Sequence, residues 1–209
     1  MRLKNSQDLF SYWDRMRAGR DAPSREEIEP SDIRNLLADT FILDISRVHR
    51  AISYRLAGTR LCTAYGRELK GLGFLVNWRE EDAFQIAKVA SKVFTDFQPH
   101  VVSYTGETDS GRAIEYEMLM LPLLPMDDGS ARVLGVASPT TLPFWLGVEP
   151  LAVNRLNSAR AIQKIARSGS MAPPLAHSGN GSDLPSAANP GKKPRKVAHL
   201  TVLDGGRKE

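Results

Sequence analysis

The sequence predicts an α+β fold: a five-stranded antiparallel sheet with helices on one face, an N-terminal flanking helix and a C-terminal tail. Three observations predict it. Five short stretches read as strands, three of them with apolar and polar residues alternating at period two, the pattern of half-buried strands. One long stripe at helical spacing, between Asn77 and Pro99, separates the first two stretches from the last three. From about Ser168 to Pro194 the chain turns to Pro, Gly, Ser and Ala, the composition of a flexible linker.

The elements follow in order. Leu9, Phe10, Trp13 and Met16 share one helical face, and `AGR` before Pro23 ends that helix. `PSDIRNLLAD` predicts a second short helix, with Ile33, Leu36 and Leu37 inward. Phe41, Leu43 and Ile45 alternate with Thr40, Ile42 and Asp44, and a polar turn through His49 leads into a paired strand. In that strand Ile52, Tyr54 and Leu56 form one face, Ser53 and Arg55 the other. Gly58 ends it at a corner read as needing glycine's conformational freedom. Thr59 is placed to cap a helix of two turns at most, and Gly66 to leave it in a left-handed conformation. Gly71 and Gly73 then break the chain again.

Asn77 with Glu80 suggests a capping arrangement for a helix whose stripe is Phe84, Ala87, Ala90, Phe94 and Phe97. The third, fourth and fifth strands are `VVSYTGE`, `RAIEYEMLMLPL` and `ARVLGVAS`. In the fourth, Ile114, Tyr116, Met118 and Met120 share a face opposite Glu115 and Glu117. `LAVNRLNSARAIQKIA` reads as one more helix, and `HLTVLDGG` near the end as a short strand able to dock. The organisation is thus flanking helices over 1–38, a domain over 39–146, a helix over 147–167 and a basic tail over 168–209.

Composition restricts the function classes. A chain of 209 residues with 42% hydrophobic residues can bury a real core. Its single cysteine, Cys62, excludes an internal disulfide and a multi-cysteine zinc site, which fits a reducing cytoplasm. Neither the start nor any apolar run suggests a signal peptide or membrane span, so a soluble cytoplasmic protein is expected. Net charge is +4, and residues 168–209 carry six Lys/Arg against three Asp/Glu, so three of the four charges lie in the tail.

The run `YRLAGTRLCTAYGRELKGLGF` resembles the part of a PAS domain where a strand passes into its pocket-wrapping helices. `YWDRMRAGRDAPSREEIEP` with `TFILDIS` further resembles a family of small bacterial single-PAS-domain proteins of unassigned function. The likeness spans roughly residues 6–146 and the closing `HLTVLDGGR`. It implies a fold used for sensing and protein interaction, with a cavity between sheet and helices, and by itself implies no activity.

Chemical motifs are mostly absent. Gly66 and Gly71 have phosphate-loop spacing, but Leu72 and Gly73 stand where Lys and Ser/Thr are needed. Gly71 and Gly73 lack the third glycine of a dinucleotide fingerprint. Cys62 lacks the Asn-Cys-Arg context of flavin-binding PAS domains and reads as a small buried residue. His100, just after the long helix, is a conceivable haem ligand but reads as a strand-entry residue, and neither it nor His49, His177 or His199 forms a metal-ligand pair. Glu115 and Glu117, two residues apart on a solvent face, read as cross-strand partners of basic residues.

The remaining candidates are apolar. Tyr54, Leu56, Tyr65, Phe74, Trp78, Phe84, Tyr104, Tyr116 and Met118 can line a cavity suited to a small apolar ligand, or fill a packed core. Leu9, Phe10, Trp13 and Met16 are candidates for a homodimer interface. The expectation is a non-enzymatic cytoplasmic sensory or regulatory module without cofactor or metal. It binds a small ligand or a protein partner and signals through protein–protein interaction, since no kinase, cyclase or receiver sequence follows residue 146. The alternative is a nucleic-acid-associated regulator using the Arg-rich N-terminal helix and `GKKPRK`, although no recognition helix is evident.

Overall fold

The alternation over residues 40–57 is realised as a hairpin of β1 (Thr40–Ser46) and β2 (Ala51–Ala57). In the computed structural model, which describes residues 1–46, 51–126 and 130–163, three further predicted strands follow. They are β3 (His100–Thr108), β4 (Ala113–Pro122) and β5 (Ala131–Pro139). His49, His177, His199, `GKKPRK` and `HLTVLDGG` lie outside the described residues.

A sixth strand replaces an expected helix. Residues Leu151–Ala161 form β6, which pairs antiparallel with β3 along its whole length. The Ala, Arg and Leu content of this stretch favours a helix only weakly, whereas β3 paired with β4 alone would expose the backbone groups of its other side as a long open edge. The sheet is antiparallel throughout, in the order β2-β1-β5-β4-β3-β6.

Both faces of this sheet are covered, because residues alternate across a strand. Tyr116, Met118 and Met120 of β4 join an inner core beneath α2 (Thr59–Ala64), a 3-10 turn at Phe74–Asn77 and α3 (Glu80–Thr95). Leu119 and Leu121 of β4, Leu134 and Val136 of β5 and Ile42 of β1 join an outer core. Over that core lie α1 (Lys4–Arg17) and two 3-10 turns, Pro30–Ile33 and Leu37–Asp39, which stand where the sequence suggested one short helix. Ile33 and Leu36 are buried there as expected, but Leu37 is partly exposed.

α1 packs on β4 and β5. Its Leu9 and Trp13 are fully buried against the chain's own sheet, each worth about 2–3 kcal/mol in apolar area removed from water. The Trp13 Nε1–H donates to the Pro122 carbonyl at 2.8 Å. Phe10 and Met16 are half-buried beside them. The face assigned from sequence to a second copy is therefore occupied, at Leu9 and Trp13, by β4 and β5. Arg17 of the Arg-rich helix is likewise buried, paired with Asp14 and lying over the Trp13 ring.

The helix starts differ in detail from expectation. No side chain caps α2, whose N-cap is Gly58, or α3, whose N-cap is Arg79. Asn77 instead accepts a hydrogen bond from the Arg67 guanidinium. Phe97 lies beyond the end of α3. Gly66 and Gly71 have φ of 62° and 83°, as the jointed reading of this segment requires.

Gly58 matters for another reason than its conformation. Its φ of −69° is open to any residue, but a Cβ there would lie 2.1 Å from the Leu37 carbonyl oxygen and 2.4 Å from that of Ala38. The β2–α2 corner is pressed against the turn before β1, with the Gly58 N–H donating to the Thr40 carbonyl at 2.8 Å. Urea unfolding separates the two glycine roles. Gly58→Ala is expected to cost about 3 kcal/mol or to prevent folding, because neither backbone can yield. Gly71→Ala, where a Cβ meets open space and only positive φ resists, should cost ~1–2 kcal/mol. A Gly58→Ala protein as stable as wild type contradicts this corner.

Candidate functional site

The space between sheet and inner helices is where the sequence placed a ligand cavity. β2 brings Tyr54, the 3-10 turn brings Phe74, the residue after it is Trp78, and β3 and β4 bring Tyr104, Tyr116 and Met118. All are buried, together with Tyr65 at the end of α2. The rings form a continuous column. Tyr54 meets Phe74 edge-on at 5.5 Å, Phe74 meets Trp78 at 6.1 Å, Trp78 meets Tyr104 at 5.2 Å, and Tyr104 stacks on Tyr116 at 5.1 Å.

This column fills the space it surrounds. The residual cavity lined by Tyr54, Tyr65, Phe74, Trp78, Tyr104 and Met118 is about 10 Å³, the room of a single water molecule at most. Ring-to-ring packing thus consumes the volume that the sequence left open between a pocket and a packed core. Burial raises the pKa of Tyr54, Tyr65, Tyr104 and Tyr116, so all four hydroxyls stay protonated.

Two candidates do not join the column. Phe84 is 78% exposed. The buried stripe of α3 is Ile86, Ala90, Val93 and Phe94, and Phe84 lies two residues, about 200° of rotation, from Ile86. Leu56 is 44% exposed and faces the outer side of the sheet. A β-bulge explains it: Ile42 pairs with Leu56 and Leu43 with Tyr54, so Arg55 is the extra residue and Leu56 turns away from the face of Tyr54.

The structure adds residues that sequence reasoning passed over. Phe41 packs against Tyr54 and Phe74, in room made by Gly135, where a Cβ would lie 2.2 Å from the Phe41 ring. Asn154 of β6 is buried and meets the Tyr65 hydroxyl through Nδ2 at 2.9 Å and Oδ1 at 3.1 Å. Asn154 sits opposite Gly106, in a stretch of the β3–β6 ladder bounded by two register shifts. Read as part of a helix, it carried no sequence signal for this role.

The groups weighed for chemistry are engaged structurally. His100 is buried at the start of β3, its Nδ1 2.9 Å from the Gln98 carbonyl oxygen. Burial, aided by the nearby Glu68 carboxylate, raises the Cys62 thiol above its ordinary value and keeps it un-ionised. Glu117 is not on a solvent face but buried on the outer one, where its carboxylate accepts the N–H of Arg2 at 2.7 Å and of Leu3 at 3.0 Å. Glu115 stays at the surface, 3.9 Å from the Arg2 guanidinium. Among the described residues no cluster of His, Cys, Asp and Glu is arranged to hold a metal, and no helix is long and apolar enough to cross a membrane.

A family model of the PAS domain matches residues 1–138, and the chain belongs to the PAS domain family. The matched stretch includes α1 as well as the first five strands. No protein of curated function matches the chain.

The Tyr65–Asn154 contact is the column's polar link to β6. Tyr65→Phe leaves the buried amide without that partner and is expected to cost about 1–3 kcal/mol in urea unfolding. The double variant Tyr65→Phe/Asn154→Leu should cost less than the sum of the two singles. Additive singles contradict the coupling.

Proposed function

We propose that this PAS domain is a non-enzymatic regulatory module that passes its signal on by binding another protein. The observation that carries the reading is an exposed apolar cluster between β5 and β6. Leu142, Phe144 and Val148 are 76%, 86% and 79% exposed within seven residues. The Arg112 guanidinium lies 5.5 Å from the Phe144 ring centroid and 5.9 Å from that of Trp145, and its Nε is 3.1 Å from a Glu149 carboxylate oxygen. An aromatic ring steadied by Arg and flanked by aliphatic groups is the composition of an interface centre, and water gains nothing from it in a free protein.

Two further features support the reading. The inner cavity has almost no room for a small molecule, so the domain does not need an occupant to be complete. Among the described residues, His100 and Glu117 are tied to backbone groups and the Cys62 thiol is held un-ionised.

The test is a comparison of two exposed phenylalanines. Phe144→Asp and Phe84→Asp should both fold with wild-type circular dichroism, since each ring is in water. In affinity capture from an extract of the source cells, proteins retained by wild type should be lost with Phe144→Asp and kept with Phe84→Asp. An unchanged set with Phe144→Asp overturns the assignment of this loop.

A further inference from the structure

The bulge at Arg55 has placed a leucine where a regular strand would have put an arginine, on the outer face near the sheet's β2 edge. There the segment that precedes β1 does not close completely over the strands. A groove of about 340 Å³ remains, with Ile28 and Ile33 from that segment on one side and Ile42, Leu56 and Leu134 from the strands on the other. This is at the lower end of the 300–1,000 Å³ of small-molecule sites and far larger than the residual space in the aromatic column.

The lining is apolar apart from the Thr40 and Thr59 side chains and one charge. That charge is Arg25, half-buried, with Nη1 donating to the Ile28 carbonyl at 3.1 Å. No carboxylate lines the groove among the described residues. The backbone contact holds a planar guanidinium beside an aliphatic channel, and a guanidinium pairs best with a carboxylate in its plane. We propose that the groove binds a monomeric aliphatic carboxylate of medium chain length, its chain against Ile33, Ile42 and Leu56 and its head group on Arg25. A lipid bilayer fits less well: the apolar surface is concave, and one arginine falls short of the basic clusters that anionic membranes recruit. The proposal concerns what the domain takes in and is independent of the protein contact at Phe144.

Calorimetric titration of the full chain with decanoate, kept below its micelle concentration, tests the idea, with 1-decanol as the uncharged counterpart. Wild type should bind one decanoate per chain saturably. Arg25→Gln should weaken decanoate about tenfold and leave decanol unchanged, and Leu56→Glu should abolish both, the fold of each variant being checked by circular dichroism. Absence of saturable decanoate binding overturns the proposal, as does equal binding of decanoate by Arg25→Gln. So does binding to phosphatidylglycerol vesicles without decanoate binding, or self-association that Leu56→Glu disrupts while decanoate has no effect. Should Leu56→Glu not fold, amide shifts of wild type on adding decanoate decide: shifts around Arg25, Ile33 and Leu56 support the groove, and shifts centred on Tyr104 and Trp78 overturn it.

Discussion

A buried carboxylate at the centre of the sheet, Glu117, organises the outer half of the molecule. β4 has neighbours on both sides, so an ionised group on its outer face has no water to turn to and needs donors. The N–H groups of Arg2 and Leu3, at the entrance to α1, supply them. Burial acts to raise the Glu117 pKa, yet these amides, together with Ser6 and the positive N-terminus, hold the carboxyl below its ordinary range. The same geometry sets the negative charge against the positive end of the α1 dipole and caps amides that the helix leaves unpaired. With that end placed, the helix axis brings Leu9 and Trp13 over Leu119 and Leu121, and the bond from Trp13 to the Pro122 carbonyl secures the far end.

A second polar link joins the two faces. Asn5 of α1 donates through Nδ2 to Asp39 Oδ2 and to the Ser138 hydroxyl, each at 2.9 Å, and Arg60 of α2 pairs with the same Asp39 carboxylate. Asp39 is buried, and desolvation raises its pKa against the opposing pull of Arg60, Asn5 and Ser138. The start of the outer helix and the start of the inner helices thus share one side chain at the head of β1. On the inner side the ring column continues the connection to β6 through Tyr65 and Asn154, so α1, the central strands and the last strand belong to one packed unit.

Much of this was legible in the sequence, and the exceptions have particular causes. The hairpin of Phe41, Leu43 and Ile45 with Ile52 and Tyr54, the inward face of Tyr116 and Met118, and the helical stripe of Leu9 and Trp13 all follow from periodicity. Periodicity could not reveal what lay opposite. Leu56 sits beside a bulge, where one extra residue reverses the faces, and a bulge leaves no mark in a count of alternating residues. The stripe of Phe84, Ala87, Ala90, Phe94 and Phe97 turns Phe84 inward, whereas Ile86, Ala90, Val93 and Phe94 set the phase of α3. Glu117 looked like a surface residue because its partners are backbone amides 114 and 115 residues away. β6 was read as a helix because the need of β3 for a second partner is a property of the sheet, not of residues 151–161.

α1 is held to the domain's own sheet through Glu117 and is not a free flanking element. Stability from a carboxyl whose folded value is lowered is fully present above its unfolded value of about 4.3, and is lost as pH falls through the lower folded value. Hydrogen exchange of the α1 amides at neutral pH, in wild type and in Glu117→Gln, measures this directly. The expected result is that wild-type α1 amides exchange as slowly as those of β4, and that Glu117→Gln speeds α1 selectively while β1 and β5 keep their protection. Fast exchange of α1 in wild type, with β4 protected, would contradict it.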